Sequence, residues 1–184
     1  MSRTSLLKSA YLSFFSKPRH ERAVYRAIRE LQAGSIVELG VGLGTRARRM
    51  IATAARYHDA AEIRYAGIDL FEARPQAGSS LPLKQAHQML RAAGAQVRLI
   101  PGDPLSALSR AANSLQSTDL IVVAADQDLR SLEQAWFYVP RMMHERSLLL
   151  VESAARNGIL NYQRLTEADA TQLAARTASV RRAA

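Results

Sequence analysis

The 184-residue chain contains no cysteine. That excludes disulfides, cysteine-ligated zinc and a cysteine nucleophile, and it agrees with a reducing, cytoplasmic setting. Lysine is scarce: only Lys8, Lys17 and Lys84 occur, so the formal net charge of +9 is carried by arginine. Such charge fits a nucleic acid or an anionic ligand, and equally an arginine-rich genome. The arginines are spread along the chain rather than clustered. No apolar run approaches the roughly 20 residues that span a bilayer. The early stretch 6–15 is interrupted by Lys8, Ser9 and Ser13 and lacks a small-residue cleavage site, unlike a signal peptide. Residues 1–20 also lack acids, as a transit peptide would, but an exposed basic N-terminal helix is the simpler reading. A Gly-Lys-Ser/Thr phosphate loop is absent, and so is a complete G-x-G-x-x-G motif.

What is present is a long enough, apolar enough chain for one folded domain over residues 1–184, with 48% hydrophobic residues and no repeat or linker. It is organised around Ser35-Ile-Val-Glu-Leu-Gly-Val-Gly-Leu-Gly-Thr45. An apolar run ends in Glu38, then glycines stand at alternate positions 40, 42 and 44, then a helical pattern begins. This reads as a buried strand, a tight turn open to a ligand and a helix N-terminus.

Elsewhere the pattern alternates. Helices are expected over 4–15 and 18–32, the second with Val24, Ile28 and Leu31 on one face. This N-terminal region either packs beside the first strand or closes over the site, where Tyr11, Phe14 and Phe15 could line a pocket. Strands are expected at 35–39, 64–69, 96–100, 118–125 and 147–152. Helices are expected at 45–57, 81–93, 104–115 and 129–144. In the first of these Met50, Ile51 and Ala54 face inward and Arg46, Arg48 and Arg49 outward. Asp103-Pro104 reads as an N-cap and first helical residue. Thr166 and Asp169 read as a capping box opening a last helix, after a weak strand at 160–164. Trp136, Phe137 and Tyr138 are expected in the core. Strands alternating with helices imply a doubly wound, mostly parallel α/β sheet. Ligands bind such sheets beyond the carboxyl ends of the strands, where Glu38, Asp69, Asp103, Asp126 and Glu152 fall.

Glu38-Leu-Gly40-Val-Gly42-Leu-Gly44 resembles the first motif of the class I S-adenosylmethionine-dependent methyltransferases. The likeness continues over residues 35–152. Asp69 and Leu70 match the strand-two end that holds the cofactor ribose, and Gly102, Asp103 and Pro104 match the adenine-binding position. Residues 118–125 match the strand whose end faces the methyl group. The resemblance implies a Rossmann-like methyltransferase fold with S-adenosylmethionine as cofactor and S-adenosylhomocysteine as product. It implies a helical segment over 1–33, a cofactor-binding core over 35–152 and a closing strand and helix over 153–184. The sheet would be abbreviated at its C-terminal strands, leaving an open substrate side or a dimer edge.

Asp126 is the candidate for chemistry. Helix capping or substrate orientation ranks first, general base second, and metal ligation with Asp128, with Glu152 and Asn157 as additional ligands, third. His87 and His144 read as surface or packing residues. The strand-four end lacks the Asn/Asp-Pro-Pro-aromatic signature of amino-group enzymes, and the absence of cysteine removes the cytosine C5 route. A small-molecule acceptor methylated at O or N leads. A methyltransferase-like binding module without catalysis, and an RNA methyltransferase or RNA-binding domain, remain as alternatives. The oligomeric state is not set by the sequence.

Overall fold

A computed structural model describes residues 18–76, 78–154 and 158–183. The expected helix at 4–15, with Tyr11, Phe14 and Phe15, and the weak metal candidate Asn157 lie outside the described residues. The strands are β1 (Ser35–Leu39), β2 (Arg64–Asp69), β3 (Gln96–Pro101), β4 (Leu120–Val123), β5 (Leu148–Ala154) and β6 (Leu160–Leu165). The helices are α1 (Arg22–Leu31), α2 (Thr45–Ala54), α3 (Leu83–Arg91), α4 (Pro104–Ala111), α5 (Leu129–Ala135) and α6 (Glu167–Ala183).

The sheet runs β3-β2-β1-β4-β5-β6. Its first five strands are parallel and β6 pairs antiparallel with β5. The chain turns outward from β1 to β3, then restarts on the other side with β4. That reversal places the topological switch point between β1 and β4.

Each face of the sheet carries its own core. Val24, Ile28, Met50, Ile51 and Leu90 of α1, α2 and α3 pack on one face against Ile36, Tyr65 and Val122. Ala107, Leu108, Leu132, Ala135 and Ala170 of α4, α5 and α6 pack on the other against Val37, Ile68 and Val123. β1 and β4 are buried along their whole length, as expected of parallel strands covered on both sides. Enclosing one such Ile or Val contributes about 2 kcal/mol. Among the described residues no helix is long and apolar enough to cross a membrane.

Several expectations need correction. The helix predicted over 129–144 stops at Ala135, and a 3-10 turn follows at Val139–Met142. Pro140 has no N–H to donate and its ring blocks a continuous helix. Trp136, Phe137 and Tyr138 are accordingly half-buried at the rim of the core. Arg46 is not outward: its side chain is 11% exposed and points beneath the glycine turn. The strand expected at 160–164, by contrast, forms: β6 makes six register pairs with β5 and ends the sheet as its one antiparallel strand among the described residues.

Candidate functional site

The Gly40–Gly44 turn joins β1 to α2 at the switch point. Gly40, Gly42 and Gly44 all have left-handed backbones, with φ of +96°, +56° and +70°. Gly40 shows the need most clearly: a Cβ there would lie 2.6 Å from both Ala124 Cβ and Gln127 Nε2. The segment after β4 therefore presses on the turn, and no larger residue fits. Gly44 caps α2 without any side-chain hydrogen bond.

Glu38 does not face the ligand space. It is fully buried, receives Arg46 Nε on Oε1 at 2.6 Å and the Tyr65 hydroxyl on Oε2. Burial pushes its carboxyl upward, while Arg46 and Tyr65 pull the other way. Arg46 also donates to the Gly40 carbonyl at 2.9 Å and to the Tyr162 hydroxyl at 2.8 Å. Burial works against its charge, but Glu38, Tyr162 and Glu152 outweigh that and hold its proton more tightly than usual. Glu38 and Arg46 thus brace the turn from below.

Asp69 ends β2 and is 2% exposed. Gly42 N donates to its Oδ2 at 2.8 Å and Phe71 N to its Oδ1 at 3.0 Å. Arg74 adds Nε on Oδ1 at 2.6 Å and Nη2 on Oδ2 at 2.7 Å. Burial alone would raise the Asp69 carboxyl, but Arg74 and the two amides lower it on balance. The same guanidinium reaches Asp126 with Nη1, so Arg74 spans from the β2 end to the β4 end, above β1. Phe71 makes the reversal that brings Arg74 back. It holds φ at +52° with its ring buried, a strained choice for a bulky residue. The Ser80 hydroxyl steadies it by donating to its carbonyl at 2.5 Å.

Asp103 is the N-cap of α4, accepting from Leu105 N at 3.0 Å and Ser106 N at 3.2 Å. Ser131 of α5 donates to the same oxygen. Burial would raise this carboxyl, yet the hydrogen bonds from Ser106 and Ser131 bring it down to about 2. Capping was also expected of Asp126, but Asp128 performs it on α5, accepting from Ser131 N at 2.8 Å. Two residues' difference in position leaves Asp126 free of the helix, with a 55% exposed side chain.

A cleft of about 410 Å³ is bordered by Asp69, Leu70, Arg74, Asp103, Pro104 and Asp126. Leu70 offers it an apolar wall, 38% exposed, and Gly102 precedes Asp103 at φ +139°. A second cleft of about 390 Å³ crosses Gly40, Gly42 and Gly44 to Asp126 and Glu152. Asp126 borders both. The structure therefore gathers the Gly40–Gly44 turn, Asp69, Leu70, Asp103, Pro104 and Asp126, and sets Glu38 beneath them.

It does not gather Asp126, Asp128 and Glu152 into a ligand set. Asp126 faces Arg74 and Asp128 caps α5. Glu152 accepts from Ala125 N at 3.0 Å and pairs with His20 at 2.9 Å. Among the described residues no three His, Asp or Glu side chains converge on a metal-sized site. Sequence reasoning missed Arg74, Arg46 and His20. Arg74 lay in a polar loop, Arg46 on a helix face taken as outward, and His20 meets its partner only through the fold.

Neither a family profile nor a curated protein matches the chain. Solved structures do. A candidate caffeoyl-CoA O-methyltransferase from Staphylococcus aureus aligns at 16% identity and TM-score 0.52, over 95% of this chain and 80% of that one. The O-methyltransferase TomG of Streptomyces achromogenes, involved in tomaymycin synthesis and solved with S-adenosylmethionine, aligns at 17% identity and TM-score 0.56, over 86% of this chain and 69% of that one. A candidate O-methyltransferase from Klebsiella pneumoniae aligns at 17% identity and TM-score 0.54, over 96% and 78%. The chain has the class I methyltransferase fold.

Proposed function

We propose that the protein is an S-adenosylmethionine-dependent methyltransferase, a single domain over residues 1–184, acting on a small molecule at O or N. One arrangement supports this. The Gly40–Gly44 turn, Asp69 and Asp103 border adjoining clefts at the switch point of a fold shared with O-methyltransferases, one of them solved with the cofactor. A cysteine-free chain suits the cytoplasm.

The cradle has the space such a ligand needs. A Cβ on Gly42 would already touch Ser79 O at 3.5 Å, so the bare glycine keeps the turn's surface clear for a ligand. Gly40, Gly42 and Gly44 would hold the cofactor along the turn. Asp69 would accept from the ribose hydroxyls once Arg74 yields its outer face. Leu70, Gly102, Asp103 and Pro104 would border the adenine. S-adenosylmethionine supplies an activated methyl group when bound. The chain's part is orientation and proton handling. Asp126, exposed where the two clefts meet, takes the acceptor's proton as general base, on the Oδ1 that otherwise accepts from Gln127 Nε2 at 2.9 Å. Arg74 holds the other oxygen and fixes the side chain.

Titration calorimetry with S-adenosylhomocysteine, paired with a thermal-shift assay, tests the cofactor. Saturable heat and a raised melting temperature are expected; neither heat nor shift would sink the reading. With an acceptor in hand, unchanged turnover by Asp126→Ala would remove the base.

A further inference from the structure

The sheet has a further cleft at its opposite end. About 510 Å³ in volume, it lies below the amino ends of β1 to β4 and reaches around the outer edge of β3. Arg64, Arg91, Arg98, His87, Gln96 and Gln116 border it, and none of the residues that line it is an Asp or Glu. Elsewhere in the chain carboxylates match several arginines. Arg46 pairs with Glu38, Arg49 with Glu21, Arg74 with Asp69 and Arg164 with Glu30. Among the described residues, no carboxylate pairs with Arg64, Arg91 or Arg98.

The arginines are arranged as well as uncompensated. In the β2–β3 register Arg64 stands opposite Gln96, and Ala66 opposite Arg98. Arg64 and Arg98 therefore project from the same face of neighbouring strands, on a diagonal. Each is steadied by one neutral contact. Arg64 Nη2 donates to Ser117 O at 3.3 Å, and Arg98 Nη1 to Ser114 Oγ at 2.7 Å. A guanidinium has five N–H donors, so most of each fork stays unused. Planar forks of this kind match phosphate oxygens two at a time.

The positive surface continues. A groove of about 630 Å³ runs along β3 between Leu83, Lys84, His87 and Arg98, again without a carboxylate. His87 and Arg98 border both spaces. Arginines that look scattered in the sequence are thus brought to one edge of the sheet, far from the glycine turn.

We infer that the cleft at the amino ends of β1 to β4 binds phosphate groups, with Arg64 and Arg98 as paired forks and Arg91, His87 and Lys84 extending the site around β3. The chemistry is that of a phosphodiester strand or a free nucleoside polyphosphate. The continuation along β3 favours the strand.

The test compares the full-length protein with an Arg64→Gln/Arg98→Gln double variant. Single-stranded 12-mer RNA is followed by fluorescence anisotropy, and ATP by calorimetry. S-adenosylhomocysteine binding and thermal melting serve as controls for an intact fold. Expected is a loss of about tenfold or more in affinity for the bound probe. For the RNA, the slope of log affinity against log salt should flatten by about 1.4, as two phosphate contacts disappear. ATP binding with the same sensitivity, and no tighter RNA binding, assigns the site to a free polyphosphate. Tighter RNA binding assigns it to a strand. Should the double variant perturb folding, the exposed Arg91→Gln alone must still weaken the bound probe. No binding of either probe, or binding untouched by both variants, overturns the inference.

Discussion

Arg74 covers both oxygens of Asp69, with Nε 2.6 Å from Oδ1 and Nη2 2.7 Å from Oδ2. The carboxylate expected to hold ribose hydroxyls is therefore already matched by a cation from its own chain. A ligand that uses Asp69 must first displace a charge-assisted pair. Arg74→Ala should thus tighten S-adenosylhomocysteine binding, by about 1.5 kcal/mol or about tenfold in Kd. High salt should narrow the difference by weakening the pair in the wild type. Calorimetry at two ionic strengths reads both effects. Weaker binding by the variant would place Arg74 in the ligand's seat instead.

Acid should strip stability over a defined window. Asp69 and Asp103 both titrate below the usual carboxylate range when folded, Asp103 at about 2. Above the unfolded value, about 3.9, they are ionised in both states and their contribution is complete. As pH falls below that value the unfolded chain takes up protons first, and the contribution is lost progressively until the folded groups protonate. Urea midpoints measured from pH 7 to 2.5 should drop across this range. Asp103→Asn should show a shallower drop than wild type, and an equal slope would contradict the assigned hydrogen bonds.

Gly40 should tolerate no side chain. Gly40→Ala combines a φ of +96° with a Cβ 2.6 Å from Ala124 Cβ, a close contact with a core neighbour. A destabilisation of about 2 kcal/mol or more is expected, together with loss of S-adenosylhomocysteine binding. A melting curve unchanged from wild type would mean that the segment after β4 can retreat, and that the turn is not held by it.

What the sequence revealed divides by distance along the chain. Asp103 with Pro104, and Thr166 with Asp169, were legible because a cap and its amides lie within four residues. Both form, the second reciprocally: Thr166 N donates to Asp169 Oδ2 at 2.8 Å and Asp169 N to Thr166 Oγ1 at 3.3 Å. The glycine turn and the alternation of strands and helices were legible for the same local reason. Arg46 meeting Tyr162, and Arg74 meeting Asp126, were not, since those partners adjoin only after the sheet is assembled. The overlong helix through Pro140 differs in kind: the breaker lies within the expected span 129–144, and its missing N–H and its ring end the helix early. The basic edge at β3 was hidden by spacing, because Arg64, Arg91 and Arg98 share a cleft only through strand pairing.

Glu38 tests whether an acidic residue beside the glycine turn serves the ligand or the scaffold. Its carboxylate has no exposed surface, and both oxygens are engaged, by Arg46 and by Tyr65. Glu38→Gln keeps the shape but leaves the Arg46 charge without its closest partner, which in a buried pair costs about 3 kcal/mol or more. If Glu38 only braces the turn, the variant should melt lower yet bind S-adenosylhomocysteine with nearly wild-type Kd at temperatures where it is folded. Asp69→Asn should behave oppositely, losing affinity even where its fold is intact. Measuring Kd well below each variant's melting temperature separates the two. A large loss of affinity in folded Glu38→Gln would show that the pair beneath the turn sets the ligand-holding geometry above it, and is not mere support.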